Sequence, residues 1–313
     1  MKIAVTGAGG FVGSSVVHAL INQGYEVTPV TSPRLNCSSA TEAITGEVID
    51  KSVKDSPAFW AIRGCEALIN CAGDPDASST ATETLLGANA KLPGMWAAMA
   101  REAGISRFVH VSTAAVQGRV PILDETETLA PFSHYSWSKA LGEIAVHNNA
   151  QKDSYTIFRP PSVHQRGRRV TETMRRLSNS PFSSVAGDGT RPSPQALLEN
   201  VASAIAFLAT TPLVPPRITM HPWEGQTTGS LMRLLGDSEP IHIPVRVAKL
   251  ATQLALELGN WAPALAANAR RVEMCWFGQG QSTTWLENSG WSPPIPASAW
   301  PEALEHITQK GNL

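Results

Sequence analysis

Tyr135 and Lys139 stand four residues apart in Tyr-Ser-Trp-Ser-Lys, a spacing that sets a phenol and an ammonium on one face of a helix. A nearby cation favours phenolate, so the lysine can draw the tyrosine down from its solution pKa of about 10 and let it act as an acid or base. A second chemical signal lies at the N-terminus. The run Gly7-Ala8-Gly9-Gly10-Phe11-Val12-Gly13 follows a short apolar stretch and precedes Val12, Val16, Val17 and Leu20 at helical spacing, with Gly24 where a helix would be capped. A strand, a glycine turn and a helix in that order let the backbone approach a diphosphate, whose charge is held by free N–H groups and the positive end of the helix. The implied ligand is a dinucleotide resting on Gly7, Gly10, Phe11, Val12 and Gly13. The glycines fall as G-x-x-G-x-x-G, a departure from the G-x-G-x-x-G fingerprint.

These residues need a scaffold, and the hydrophobic pattern supplies one. Residues 25–30, 67–71 and 107–112 are short apolar runs separated by helical stretches, which predicts an α/β fold with a doubly wound parallel sheet. Residues 88–103 read as a helix carrying Met95, Trp96 and Met99, which Pro93-Gly94 should kink or begin. After Pro160 the pattern breaks into Arg-, Ser- and Pro-rich segments, and regular elements return near 195–208 and 217–220. This predicts a dinucleotide-binding domain of 1–158 with 195–220, and a smaller interleaved C-terminal substrate lobe of 159–194 with 221–313. Residues 245–258 form an amphipathic helix with Arg246, Lys249, Gln253 and Glu257 on one side. Its mixed charge suits a lid or wall over the active site better than a membrane surface. The Pro- and Trp-rich stretch 285–300 reads as a closing segment.

Composition narrows the class. The chain has 313 residues, a formal net charge of −1 and 42% hydrophobic residues, so it lacks the basic excess of a nucleic-acid binder. No stretch has the apolar length of a membrane span, and the glycine-turn strand begins at once, so a cytoplasmic protein is expected. Cys37, Cys65, Cys71 and Cys275 have no metal-ligand spacing and read as free thiols, and the eight histidines are scattered. No metal is expected. His134, beside Tyr135, points elsewhere on the helix and reads as a surface residue.

The glycine turn followed by Tyr-x-x-x-Lys resembles the short-chain dehydrogenase/reductase superfamily, and the chain length resembles its extended branch, the NAD-dependent epimerase/dehydratase family. Further segments carry the likeness. Asn70-Cys71-Ala72-Gly73 resembles the end of the family's fourth strand, residues 108–118 the strand that bears the catalytic hydroxyl, and Arg159-Pro160-Pro161-Ser162-Val163 the segment entering the substrate region. The resemblance covers roughly residues 1–205. It implies a Rossmann-type sheet, with Tyr135 as proton donor or acceptor, Lys139 also bonding the nicotinamide ribose, and Thr113 as the hydroxyl that meets the reacting oxygen. Ser112 is the fallback, because neighbouring side chains on a strand face opposite ways. It also implies cofactor contacts from Cys71, Ala72, Gly73, Asn89, Pro160 and Val163. Asn89 has the alternative of an ordinary helix cap. Glu47, with Val48, resembles the acidic position that faces the adenine amino group, or is an exposed loop carboxylate. A homodimer through the helices at 89–103 and 135–148 is implied by resemblance alone.

Cofactor choice rests on the end of the second strand, where an acid would bind the ribose 2′-hydroxyl of NAD and repel a 2′-phosphate. The chain reads Val30-Thr31-Ser32-Pro33-Arg34, and its hydroxyls and cation suit NADP over NAD. Dehydratases of this family follow the catalytic hydroxyl with an acid pair, whereas Thr113 is followed by Ala114-Ala115, which cannot move a proton. Carbonyl/alcohol redox remains, with an NAD-retaining epimerase as the alternative. Arg166, Arg168, Arg169, Arg175, Arg176 and Arg191 crowd the substrate region, and guanidinium groups suit the diphosphate of a nucleotide sugar, with Arg166 and Arg191 as candidate contacts. His164-Gln165 replaces the Tyr-Gly of many relatives, and Asn200 a usual Asp. Further alternatives are a steroid- or flavonoid-type ketone substrate, or a catalytically silent nucleotide sensor.

Overall fold

Ile3, Ala4 and Val5 are all fully buried, as a strand covered on both faces demands. In the computed structural model, which describes residues 1–47, 50–76, 79, 81–259 and 272–305, this stretch is strand β1 (Lys2–Thr6). The central sheet continues with β2 (Glu26–Val30), β3 (Ala67–Asn70), β4 (Arg107–Val111), β5 (Tyr155–Arg159) and β6 (Ile218–Met220). All pairings are parallel, in the spatial order β6-β5-β4-β3-β1-β2. Strand order reverses between β1 and β3, the switch point at which open α/β sheets bind ligands.

Alternation along each strand decides what covers which face. Ile3, Val5, Ile69, Val109 and Phe158 face α1 (Phe11–Asn22) and α5 (Leu198–Thr210). Ala4, Leu68, Phe108 and Ile157 face α2 (Leu92–Glu102) and α3 (His134–Asn149), with Trp96 and Val146 fully buried among them. A fully buried side chain of that size contributes ~1.5–3 kcal/mol, so two such layers hold the sheet beneath its carboxyl edge.

The kink expected near Pro93 is resolved one turn earlier. Gly87–Lys91 winds as a π turn and passes directly into α2, so the proline, which has no N–H to donate, sits in the first turn of the α segment. Gly87 is required there, since a Cβ would lie 1.8 Å from the Leu35 carbonyl oxygen. That contact fixes the loop leaving β2.

After β5 the chain leaves the sheet for strand Ser162–His164, which pairs with Gln195–Leu197, then α4 (Arg169–Ser178), and returns through α5 to β6. The second lobe adds α6 (Thr228–Leu235), α7 (Val245–Gly259) and the strand pair Ser184–Ala186 with Ile241–Ile243. Its closing segment is anchored by Trp300, fully buried, whose indole N–H donates to Glu224 at 2.8 Å. Helix α7 differs from expectation. Among its described side chains it buries Ala248 and Thr252 and leaves Val247, Leu250 and Leu254 exposed. The sequence pattern placed those three exposed positions on the packed side. Among the described residues no helix is long and apolar enough to cross a membrane.

Candidate active site

The site is built on a polar row across the carboxyl ends of three strands. Thr6 Oγ1 donates to Asn70 Oδ1 at 2.6 Å, and Asn70 Nδ2 meets His110 Nδ1 at 3.1 Å, all three residues fully buried. Asn70 Oδ1 also accepts from the Ala72 N–H at 3.2 Å, which draws Cys71-Ala72-Gly73 over the sheet edge. The glycine turn packs directly on this loop. Gly7 has φ +67°, and a Cβ there would lie 2.7 Å from the Ala72 nitrogen; a Cβ on Gly13 would lie 2.1 Å from the Gly7 carbonyl oxygen. Only glycine permits either approach.

Helix α1 then begins at Gly10, which offers no side-chain cap, and its first turn contains no acid. Its first intrahelical bond is Ser14 N–H to Gly10 O, so the N–H groups of the first turn are left for a ligand. This cradle fits a dinucleotide pyrophosphate. At the end of β2, Thr31 and Arg34 are exposed, while Ser32 Oγ accepts from the Trp96 indole at 3.3 Å. No carboxylate lies within residues 31–34.

Tyr135, Lys139 and Glu143 succeed one another at four-residue spacing on α3, whose start is fixed by a reciprocal cap between Ser133 and Ser136. Lys139 Nζ donates to the Val111 carbonyl at 2.7 Å and is buried. Burial lowers its pKa to about 8, opposed by the Glu143 carboxylate. Tyr135 is half-buried. Burial raises its pKa, while the Thr113 hydroxyl and the Arg168 charge favour phenolate. The sequence reading assigned that support to Lys139, whose ammonium is instead turned to the end of β4. The nearest help to the phenol comes from across the cleft.

Thr113 and Ser112 point opposite ways. Thr113 lies at the cleft beside Tyr135 and also caps the turn Ala114–Gln117, accepting from Ala115 N–H at 3.2 Å. Ser112 is buried and donates to Glu143 at 2.5 Å. That bond takes it out of the candidate substrate set. Asn89 is buried and brackets Asp74, accepting from its N–H at 2.8 Å and donating to its carbonyl at 3.0 Å, with a further bond to Ser138 at 3.1 Å. It ties the loop after β3 to α3 and so positions Gly73, whose Cβ would lie 2.8 Å from Asn89 Oδ1 and 3.9 Å from Lys139 Nζ. Cys71 is pushed up to about 12 by burial and stays a neutral thiol.

Pro160 accepts from Ala114 N–H at 2.9 Å, and Val163 is buried against the core beneath the cleft. Other candidates lie elsewhere. The Glu47 N–H donates to Asn149 at 2.6 Å, at the end of α3 remote from Tyr135, about 21 Å along the helix axis. This leads to the foot of the sheet, away from an adenine at its carboxyl edge. Val48 lies outside the described residues. Arg166 donates to the Glu305 carbonyl at 3.0 Å, on the C-terminal segment, and Arg191 is exposed. The arginine that reaches the site is Arg168, which the sequence placed in the cluster without distinguishing it. Its stacking partner Phe11 was the available signal.

Lys139 makes the site pH-sensitive in a definite direction. The ammonium form exists below about pH 8 and is lost above it, so kcat/KM is expected to fall on the alkaline side with a limb near 8. A profile flat to pH 10 would contradict a charged Lys139 in the working state.

The model of the NAD dependent epimerase/dehydratase family matches residues 3–213. The chain is 27% identical over 164 residues to dTDP-glucose 4,6-dehydratase of Streptomyces niveus, covering 46% of this chain and 48% of that protein. Its match spans about half the length of the curated relatives. UDP-glucuronic acid 4-epimerase from Bacillus cereus in complex with NAD shares the fold at TM-score 0.66 and 17% identity, covering 99% of each chain. dTDP-4-dehydrorhamnose reductase from Bacillus anthracis in complex with NADP does so at 0.62 and 19%, covering 97% of each.

Proposed function

The chain belongs to the NAD dependent epimerase/dehydratase family, and from that premise we propose that it is an NADP-dependent oxidoreductase interconverting a carbonyl and an alcohol on a nucleotide sugar. The observation that carries the reading is the meeting of Tyr135, Lys139 and Thr113 at the carboxyl edge, with Ala114 and Ala115 where an eliminating enzyme needs acids. A bound nicotinamide supplies or accepts the hydride. In the reducing direction Tyr135 gives its phenolic proton to the carbonyl oxygen, and Thr113 donates a hydrogen bond to that oxygen and steadies the phenolate left behind. Lys139, whose ammonium is held at the Val111 carbonyl and not at the phenol, is the group that would bond the cofactor ribose. Alcohol oxidation runs the same proton path backwards.

NADP is favoured by exposed Thr31 and Arg34 with no acid among them, and the nucleotide sugar by the substrates named for the relatives. Denaturing fresh protein and identifying any released dinucleotide by mass spectrometry tests the cofactor reading. The expected result is an empty site that then binds NADPH better than NADH. Arg34→Ala should weaken NADPH roughly tenfold, about 1.4 kcal/mol, and leave NADH unchanged. Near-stoichiometric NAD would replace this reading with a cofactor-retaining epimerase, which uses the same three residues.

A further inference from the structure

Arg168 precedes α4 and belongs to the substrate lobe, yet its side chain lies on the nucleotide-binding helix. Its guanidinium carbon sits 4.0 Å from the centre of the Phe11 ring, and Nη1 donates to the Val163 carbonyl at 2.9 Å. Stacking and one hydrogen bond thus fix the plane of a group that carries five donors. Among the described residues no carboxylate pairs with it, although it is half-buried and burial works against its charge. An oriented, partly desolvated cation with spare donors calls for an anion. Phe11 is the first residue of α1, where Gly10 leaves the N–H groups uncapped. Two anion-seeking features of different origin, backbone N–H groups below and a guanidinium above, therefore flank the same place.

We propose that Arg168 is a clasp over the cofactor: it holds the dinucleotide pyrophosphate from the side opposite the α1 N–H groups and so ties the substrate lobe to the nucleotide-binding unit. The inference rests on the dinucleotide reading given above. It makes cofactor departure depend on lifting Arg168 off Phe11, and it places the same positive charge beside Tyr135 whenever the clasp is shut. Lysine cannot substitute fully, because an ammonium has no planar face to lay on the ring.

The test is the affinity and dissociation rate of NADPH, followed by fluorescence at two salt concentrations, for the wild type, Arg168→Met, Arg168→Lys and Phe11→Leu. Arg168→Met is expected to raise Kd and the dissociation rate about tenfold and to flatten the salt dependence. Arg168→Lys should recover the salt dependence without the slow release, and Phe11→Leu should speed release while retaining the charge. An unchanged Kd in Arg168→Met, with wild type binding normally, overturns the clasp. So does a raised KM for the nucleotide sugar at unchanged cofactor Kd, which would give the guanidinium to the substrate. Wild type that binds no dinucleotide at all overturns the proposed function together with the clasp.

Discussion

Tyr135→Phe is expected to lower kcat by about 10³-fold to 10⁴-fold and to leave dinucleotide Kd unchanged. The substitution removes one oxygen at a half-buried position. The cap at Ser133, the Lys139 bond to Val111 and the glycine turn are untouched. What is lost is the phenol that, in the proposed reaction, delivers a proton to the carbonyl oxygen. General acid–base catalysis contributes 10²–10⁴ in rate, and the upper part of that range applies because the residues around Thr113 do not stand in for the phenol: Ala114 and Ala115 follow it, and Ser112 is committed to Glu143. Single-turnover reduction at saturating cofactor, run beside a binding titration, separates chemistry from affinity. Activity within tenfold of wild type would remove Tyr135 from the proton path and favour a nucleotide-sensing protein.

The second large effect concerns stability. Glu143 accepts from Arg159 Nε at 3.0 Å and from Nη2 at 2.7 Å, and the two side chains are 5% and 0% exposed. Deleting the carboxylate in Glu143→Ala leaves a guanidinium without its counter-charge at the end of β5, a loss of about 3–5 kcal/mol. At this chain length that corresponds to a fall of roughly 5–8 °C in Tm, and the pair replaced jointly by Met and Leu should recover much of it. Calorimetry of the single and double variants decides the point; a single variant as stable as wild type would mean that Arg159 finds another partner. Activity should respond as well. Glu143 opposes the burial that depresses Lys139, so its removal lets the lysine lose its proton at still lower pH, and the alkaline limb moves below 8.

Much of this arrangement was legible from residue type and spacing. The glycine turn and the Tyr135–Lys139 pair follow from local geometry, because helix and strand periods determine which side chains share a face; strand alternation allows only one of Ser112 and Thr113 to serve, and the preference for Thr113 came from the family resemblance. The parallel, doubly wound character of the sheet followed from alternating apolar runs and helices. Partners from distant elements were not legible. Arg168 is selected over Arg166 and Arg191 by a ring 157 positions earlier, and loop direction between them has no periodic signature. Glu47 was misplaced for the same reason: resemblance carried it to the carboxyl edge, while a backbone bond to Asn149 holds it at the foot of α3. The Glu143–Arg159 pair joins a helix to a strand, although Glu143 at two turns from Tyr135 already pointed inward.

The interleaving of the second lobe governs how the chain can be made. Strand β5 is buried along its whole length and takes β6 as its outer neighbour, through Ile157–Ile218, Phe158–Thr219 and Arg159–Met220. On the ribosome, β5 emerges almost 60 residues before β6, a gap of roughly 3–12 s at ordinary elongation rates. During that interval an apolar strand offers an open edge, the kind of template that recruits other chains. Slow translation through the arginine-rich segment, or any truncation before β6, would lengthen the exposure, so the edge of β5 stays open until three residues return to the sheet.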